Sequence, residues 1–163
     1  MHAAAMWKTI LVAHDFSECA AHALEVATHE ARAHGARIVL LHVVELLPKF
    51  GHDTSVMVRP GTTQPISVRR YYMETAETEL APIVAGLRAE GIEVSIEVRS
   101  GVPIEELSAA VADHAADVII MGTHGRTGLH RWIAGSVAER MVRSSTVPVL
   151  TIRHPDSEVP SRG

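Results

Sequence analysis

Five short apolar runs recur along the chain, and a longer segment separates each from the next. They are KTILVAH (8–14), ARIVLLHVVE (36–45), IEVSIEVRSG (92–101), DVIIMG (117–122) and VPVLTIR (147–153). Apolar, β-branched runs bounded by polar breaks form strands. The second run does not alternate, as in a strand buried on both faces, whereas the third alternates as an edge or half-exposed strand does. Between them lie helical patterns. In residues 15–35, Asp15 or Ser17 can cap, the alanines and Leu24 form a stripe, and Gly35 closes. Residues 68–91 are helical and closed by Gly91, with Pro82 expected to kink or break them. Residues 102–116 begin a helix with Pro103 in its first turn, and SVAERMVRSS (136–145) is the last. Such alternation predicts an α/β fold, a doubly wound, Rossmann-like parallel sheet covered by helices on both faces.

With 163 residues the chain makes about one domain. Residues 1–6 read as a leader, with Met6 as an alternative start, residues 7–153 as the domain, and residues 154–163 as a polar tail. Within the domain, residues 46–69 carry three prolines and no period. They read as a long loop, the kind that is functional or mobile. A formal net charge of −4 argues against nucleic acid as a partner, which needs a basic face. The N-terminal apolar run is too short for a signal peptide or membrane span, and the single Cys19 allows no intrachain disulfide. A cytoplasmic protein is the expectation.

Chemistry concentrates where the fourth strand ends, in MGTHGRTGLHRWIAGS (121–136), which has four glycines in sixteen positions. In open α/β sheets, ligands lie beyond the carboxyl ends of the strands, where strand order reverses. Gly122 and Gly125 let the backbone curl and aim N–H groups inward. Gly135 and Ser136 open the next helix, whose unpaired N–H groups and dipole favour an anion. Arg126 and Arg131 can supplement the positive field. The first strand ends in AHDFS, which puts Asp15 across the same crevice if the first and fourth strands are neighbours. The loop is not the lysine-bearing phosphate loop, because no Gly-Lys-Ser/Thr follows. It is not the dinucleotide fingerprint either, because HDFSE replaces the glycine triplet after the first strand. Read blandly, the glycines are loop and cap residues, Asp15 and Ser136 only cap helices, and the arginines are solvated. Eleven histidines include no pair at metal-ligand spacing, although His124 and His130 could touch phosphate or Mg²⁺. His14 and His42 read as structural.

Gly122-x2-Gly125-x9-Gly135-Ser136, together with ILVAHDFSE, VLLHVVE and VPVLTIR in that order, resembles the ATP-binding branch of the universal stress proteins over about residues 7–153. The resemblance implies a five-stranded parallel sheet of order 3-2-1-4-5, like the adenine nucleotide alpha hydrolases. It implies adenine near the backbone of Ala13 and Val43, and ribose at Asp15 and at Gly122, next to Met121. Phosphates would rest on Gly125, Gly135, Ser136 and Val137, beside Arg126. The implied ligand is ATP, with Mg²⁺ brought by the nucleotide and no metal held by the protein alone. Family dimers pair their last strands, so a homodimer through residues 147–153 is implied, and Pro148 is tolerated on such an edge. The expected role is a nucleotide-dependent stress sensor or regulator with no catalytic residue. The alternatives are a weak ATPase or nucleotidyl transferase on the same scaffold, and a dimeric interaction module that binds no nucleotide.

Overall fold

The computed structural model describes residues 6–45, 56–123 and 136–153. The elements in chain order are β1 (Thr9–Ala13), α1 (Glu18–His34), β2 (Arg37–Val44), β3 (Val56–Val58), β4 (Pro65–Ser67), α2 (Val68–Ala89), β5 (Val94–Ser100), α3 (Pro103–Asp113), β6 (Val118–Gly122), α4 (Ser136–Ser144) and β7 (Val149–Ile152). Five strands form one sheet in the order β5-β2-β1-β6-β7, and every pairing in it is parallel. Counting only these strands, the order is 3-2-1-4-5, as expected. β1 lies between β2 and β6, so strand order reverses between β1 and β6. The two edges are β5 and β7.

The pleat divides each central strand between two cores. Ile10 and Val12 of β1, Ile38 and Leu40 of β2, and Val118 and Ile120 of β6 pack with Ala23, Ala27 and Ala31 of α1 and with Leu80 and Val84 of α2. The intervening residues Leu11, Val39, Leu41, Ile119 and Met121 pack with Ile104 and Leu107 of α3 and with Ala138 and Met141 of α4. Alanines at four-residue spacing on α1 keep that helix close to the sheet. Strands buried on both faces explain why β1, β2 and β6 read as unbroken apolar runs.

Local signals set the helix ends. Ser17, not Asp15, is the N-cap of α1, its hydroxyl accepting the Ala20 N–H at 3.1 Å. Gly35 closes the helix at φ 64°. Asp117 ties the opposite end of the sheet, its Oδ2 accepting the N–H groups of Lys8 at 2.7 Å and Thr9 at 2.9 Å. Those two amides, Lys8 foremost, hold the Asp117 carboxyl below its ordinary range.

Two expectations need correction. The expected loop over 46–69 contains a hairpin, with β3 and β4 pairing antiparallel. Arg59-Pro60-Gly61-Thr62 makes its turn, with the Thr62 N–H donated to the Arg59 carbonyl at 3.0 Å and Gly61 at φ 76°. Proline followed by a glycine at positive φ is the type II turn pattern, and Val-x-Val before it supplies the strand. Ile66 is buried and Arg59 ion-pairs with Glu74, which pins the hairpin to α2. Residues 46–55 lie outside the described residues. The second correction concerns the break that was one of the two outcomes expected at Pro82: α2 is one element over Val68–Ala89, with Pro82 inside it. Proline costs the bond to the carbonyl four residues back. Here that carbonyl belongs to Thr78, and both residues are exposed, so water can satisfy it.

Candidate functional site

Strand order reverses between β1 and β6, and the carboxyl ends of strands at such a reversal are where ligands of open α/β sheets lie. α1 leaves β1 on one face of the sheet, and α4 follows β6 on the other. Ala13 ends β1 and is paired with Leu41 of β2 on one side and Met121 of β6 on the other. Ala13, Val43 and Val137 are half-buried at the margin of the α3/α4-side core, and Met121 is buried within it. Four of the expected site residues, from β1, β2, β6 and α4, thus belong to one apolar cluster on one face. Small, half-covered apolar residues at strand ends suit a flat aromatic ligand better than a charged one.

Asp15 lies two residues beyond β1, in the turn that reaches α1. Its Oδ1 accepts the Ser17 backbone N–H at 3.1 Å and the Ser17 hydroxyl at 2.5 Å. The carboxylate is therefore fixed by the same serine that caps the helix. Asp15 is half-buried, whereas His14 before it is 5% exposed. Burial pushes the His14 imidazole below its ordinary range; the charge of Asp15 opposes that shift and His42 reinforces it.

Gly122 plays a part that its place in the glycine motif did not suggest. A Cβ there would lie 2.8 Å from the Cys19 Cβ, 2.9 Å from the Cys19 carbonyl carbon and 3.1 Å from the Ala20 nitrogen. Its missing side chain lets the end of β6 touch the first turn of α1, which also carries the Ser17 cap. What is needed at Gly122 is close approach of backbone to backbone, and its φ is not in the left-handed region.

The rest of the glycine motif lies outside the described residues: Gly125, Arg126, Arg131 and Gly135, with His124 and His130. Ser136 is the first residue of α4, and Val137 after it is half-buried. The structure therefore brings together Ala13, Val43, Met121 and Val137, places Asp15 and Gly122 at neighbouring strand exits, and leaves the phosphate half of the site undescribed. Among the described residues no group of histidine, cysteine or carboxylate side chains could hold a metal ion, and no helix is long and apolar enough to cross a membrane.

Sequence reasoning missed the His14-Phe16-His42 cluster behind Asp15. Phe16 is at φ 64°, and its ring centroid is 5.3 Å from that of His14 and 4.8 Å from that of His42. No textual signal marks a phenylalanine for the left-handed region, which bulky residues rarely enter.

Comparison with known proteins points one way. The model of the universal stress protein family matches residues 6–153. The universal stress protein MJ0531 of Methanocaldococcus jannaschii is 29% identical over 153 residues, covering 94% of this chain and 86% of that protein. The solved structure of MJ0577, described as a structure-based assignment of biochemical function, is 28% identical. It superposes with a TM-score of 0.76 over 93% of this chain and 99% of its own. The universal stress protein from Archaeoglobus fulgidus in complex with dAMP shares the fold at 22% identity, with a TM-score of 0.61 over 90% of this chain and 98% of that one.

Proposed function

The chain belongs to the universal stress protein family, and on that premise we propose that it binds ATP at the carboxyl ends of β1, β2 and β6 and acts as a nucleotide-dependent stress-response regulator. One observation carries the reading. Ala13, Val43 and Val137 come from three separate elements and meet, half-buried, at the margin of one core beside the strand-order reversal, with Asp15 one turn beyond. The residues fit the nucleotide in kind. Backbone groups of Ala13 and Val43 take the adenine edge above an apolar floor. Asp15 and the Gly122 backbone, next to Met121, take the ribose, since a carboxylate accepts from vicinal hydroxyls. Amides of Gly125, Gly135, Ser136 and Val137 take the phosphates at the mouth of α4, in the field of Arg126. A bound nucleotide supplies charge at that helix mouth, and Mg²⁺ arrives with it.

The protein works in this proposal as a cytoplasmic homodimer joined along β7, an edge strand of the sheet. Isothermal titration with ATP tests the reading directly. Wild-type protein gives a saturable heat, Gly135→Leu abolishes it, and Ser136→Ala weakens it. Absence of heat from the folded wild-type protein overturns the proposal.

A further inference from the structure

We infer that His14 is a positioning residue for Asp15, holding the β1–α1 turn through an unprotonated Nδ1, so that nucleotide affinity is lost when His14 takes up a proton. This rests on the reading that Asp15 contacts the nucleotide.

The chain passes from β1 to α1 through His14, Asp15, Phe16 and Ser17. Phe16 is held at φ 64°. A bulky side chain in the left-handed region costs about 1–3 kcal/mol and persists only where its surroundings impose it. Here the Phe16 N–H is donated to His14 Nδ1 at 3.3 Å. The Phe16 ring meets the His14 ring edge-on, at 83°, and lies tilted on His42 at 52°. The next residue, Ser17, grips Asp15 Oδ1 and caps α1. The route from His14 to the Asp15 carboxylate is therefore one hydrogen bond, one strained residue and one serine.

This arrangement sets where each ring, when neutral, carries its hydrogen. A ring nitrogen that accepts an N–H carries no proton, so neutral His14 keeps its hydrogen on Nε2. His42 has the opposite tautomer: its Nδ1 is 2.7 Å from the His14 carbonyl oxygen, which can only accept. Protonating His14 places an N–H on Nδ1, facing the Phe16 N–H. The bond that stabilises the strained turn becomes a repulsion, and Phe16 is released towards ordinary backbone angles, taking Ser17 and Asp15 with it. The groups acting on His14 are Asp15 from its own turn and His42 from β2. Among the residues α1 buries, Cys19 is the titratable one, and α2 buries Ala76, Leu80 and Val84. Burial keeps His14 neutral at its ordinary value of 6.5, so the transition lies on the acid side of it. His14 does at this turn what asparagine does in an Asx-turn, accepting from the N–H two residues on, with a titratable acceptor in place of a fixed one.

Two measurements decide the matter. Long-range ¹H–¹⁵N spectra of the imidazoles at pH 8 should show His14 as the Nε2–H tautomer and His42 as the Nδ1–H tautomer. Titrations with ATP from pH 8 to pH 5 should be run on wild type, His14→Asn and His14→Leu. Asparagine keeps the acceptor and does not titrate. H14N should match wild type at pH 8, and the wild type should then fall behind it by up to about tenfold per pH unit below the His14 transition. H14L should bind weakly throughout. Protonation of the phosphates and of other histidines acts on wild type and H14N alike, so the difference between their curves is the quantity read. Parallel curves, or an Nδ1–H tautomer for His14 at pH 8, overturn the inference. If wild-type protein binds no nucleotide at pH 8, the proposed function fails, and the tautomer spectrum alone then decides the role of His14.

Discussion

Replacing Gly122 with alanine tests whether the end of β6 and the start of α1 are in backbone contact. The added methyl would stand 2.8 Å from the Cys19 Cβ and 2.9 Å from the Cys19 carbonyl carbon. Carbon atoms pack at about 3.5–4.0 Å, so something must move by more than half an ångström. Of the three nearest atoms, two are backbone in the first turn of α1, so no rotamer change relieves them. Overpacking of this kind costs about 1–3 kcal/mol. For a chain of this size that lowers Tm by roughly 2–12 °C, taking about 2–4 °C per kcal/mol. Gly86 supplies the contrast: it is exposed inside α2, and a Cβ there meets nothing within 4 Å. Gly86→Ala should raise stability by about 0.5–1 kcal/mol, because alanine has the better helix propensity. Thermal and urea unfolding followed by circular dichroism read both variants. A second substitution, Cys19→Gly, removes the Cβ contact and leaves the 2.9 Å backbone contact, so it should not restore G122A. Wild-type stability in G122A, or full rescue by C19G, would refute the argument.

Asp117→Asn should cost about 1 kcal/mol at pH 7, because two amides lose a charged acceptor, a loss discounted for partial exposure to solvent. The Asp117 carboxyl is depressed from an ordinary 3.8, so its contribution is present above that pH and is lost as pH falls through the folded-state value. The gap between wild type and D117N in urea unfolding should therefore close in acid below about pH 4; a gap constant with pH counts against it. If β7 joins two copies, Leu150→Asp should weaken the dimer at least about a hundredfold, since Leu150 is a large apolar residue 37% exposed on that edge strand. Sedimentation should then give monomer where wild type gives dimer, and an unchanged dimer would exclude this edge.

The sheet was legible because β1, β2 and β6 are buried on both faces and carry the unbroken apolar runs that such burial demands. α1 was legible because Gly35 and the alanine stripe admit little else. The hairpin over β3 and β4 escaped because each strand has three residues, too few for alternation to register. Its turn sequence, Pro60-Gly61, was visible and was absorbed into a loop. The break expected at Pro82 failed for a different reason. The proline penalty assumes a carbonyl that cannot find another partner, and the Thr78 carbonyl is on an exposed side of α2. At the candidate site the sequence marked Asp15 through its strand-end place, and Ala13 and Val43 through the family resemblance alone. It could not show that Gly122 packs on Cys19, because that contact joins residues more than a hundred positions apart. Nor could it show that Phe16 is left-handed, because its hydrogen bond to His14 and its contacts with the His14 and His42 rings exist only in the fold.

The two faces of the sheet make different contributions to the candidate site, and this bears on how the site responds to change. The face under α3 and α4 provides a floor, with Ala13, Val43 and Val137 left half-covered at its margin. Ala13, Val43 and Val137 are anchored by β1, β2 and α4 respectively. Asp15 belongs to the other face, for its turn leads into α1 and is backed by Phe16, which packs on the α1/α2-side core. The acidic group is therefore carried by a short connection whose geometry depends on Gly122 beneath it and His14 behind it. A change at Val43 acts first on the apolar surface, and a change at Gly122 or His14 acts first on the turn. Strain is tolerated where the chain leaves the sheet because the α1 cap, the ring contacts and the β6 contact all converge there. Among the groups that hold it, the His14 imidazole accepts the Phe16 N–H directly, so its protonation withdraws a hydrogen bond from the turn itself.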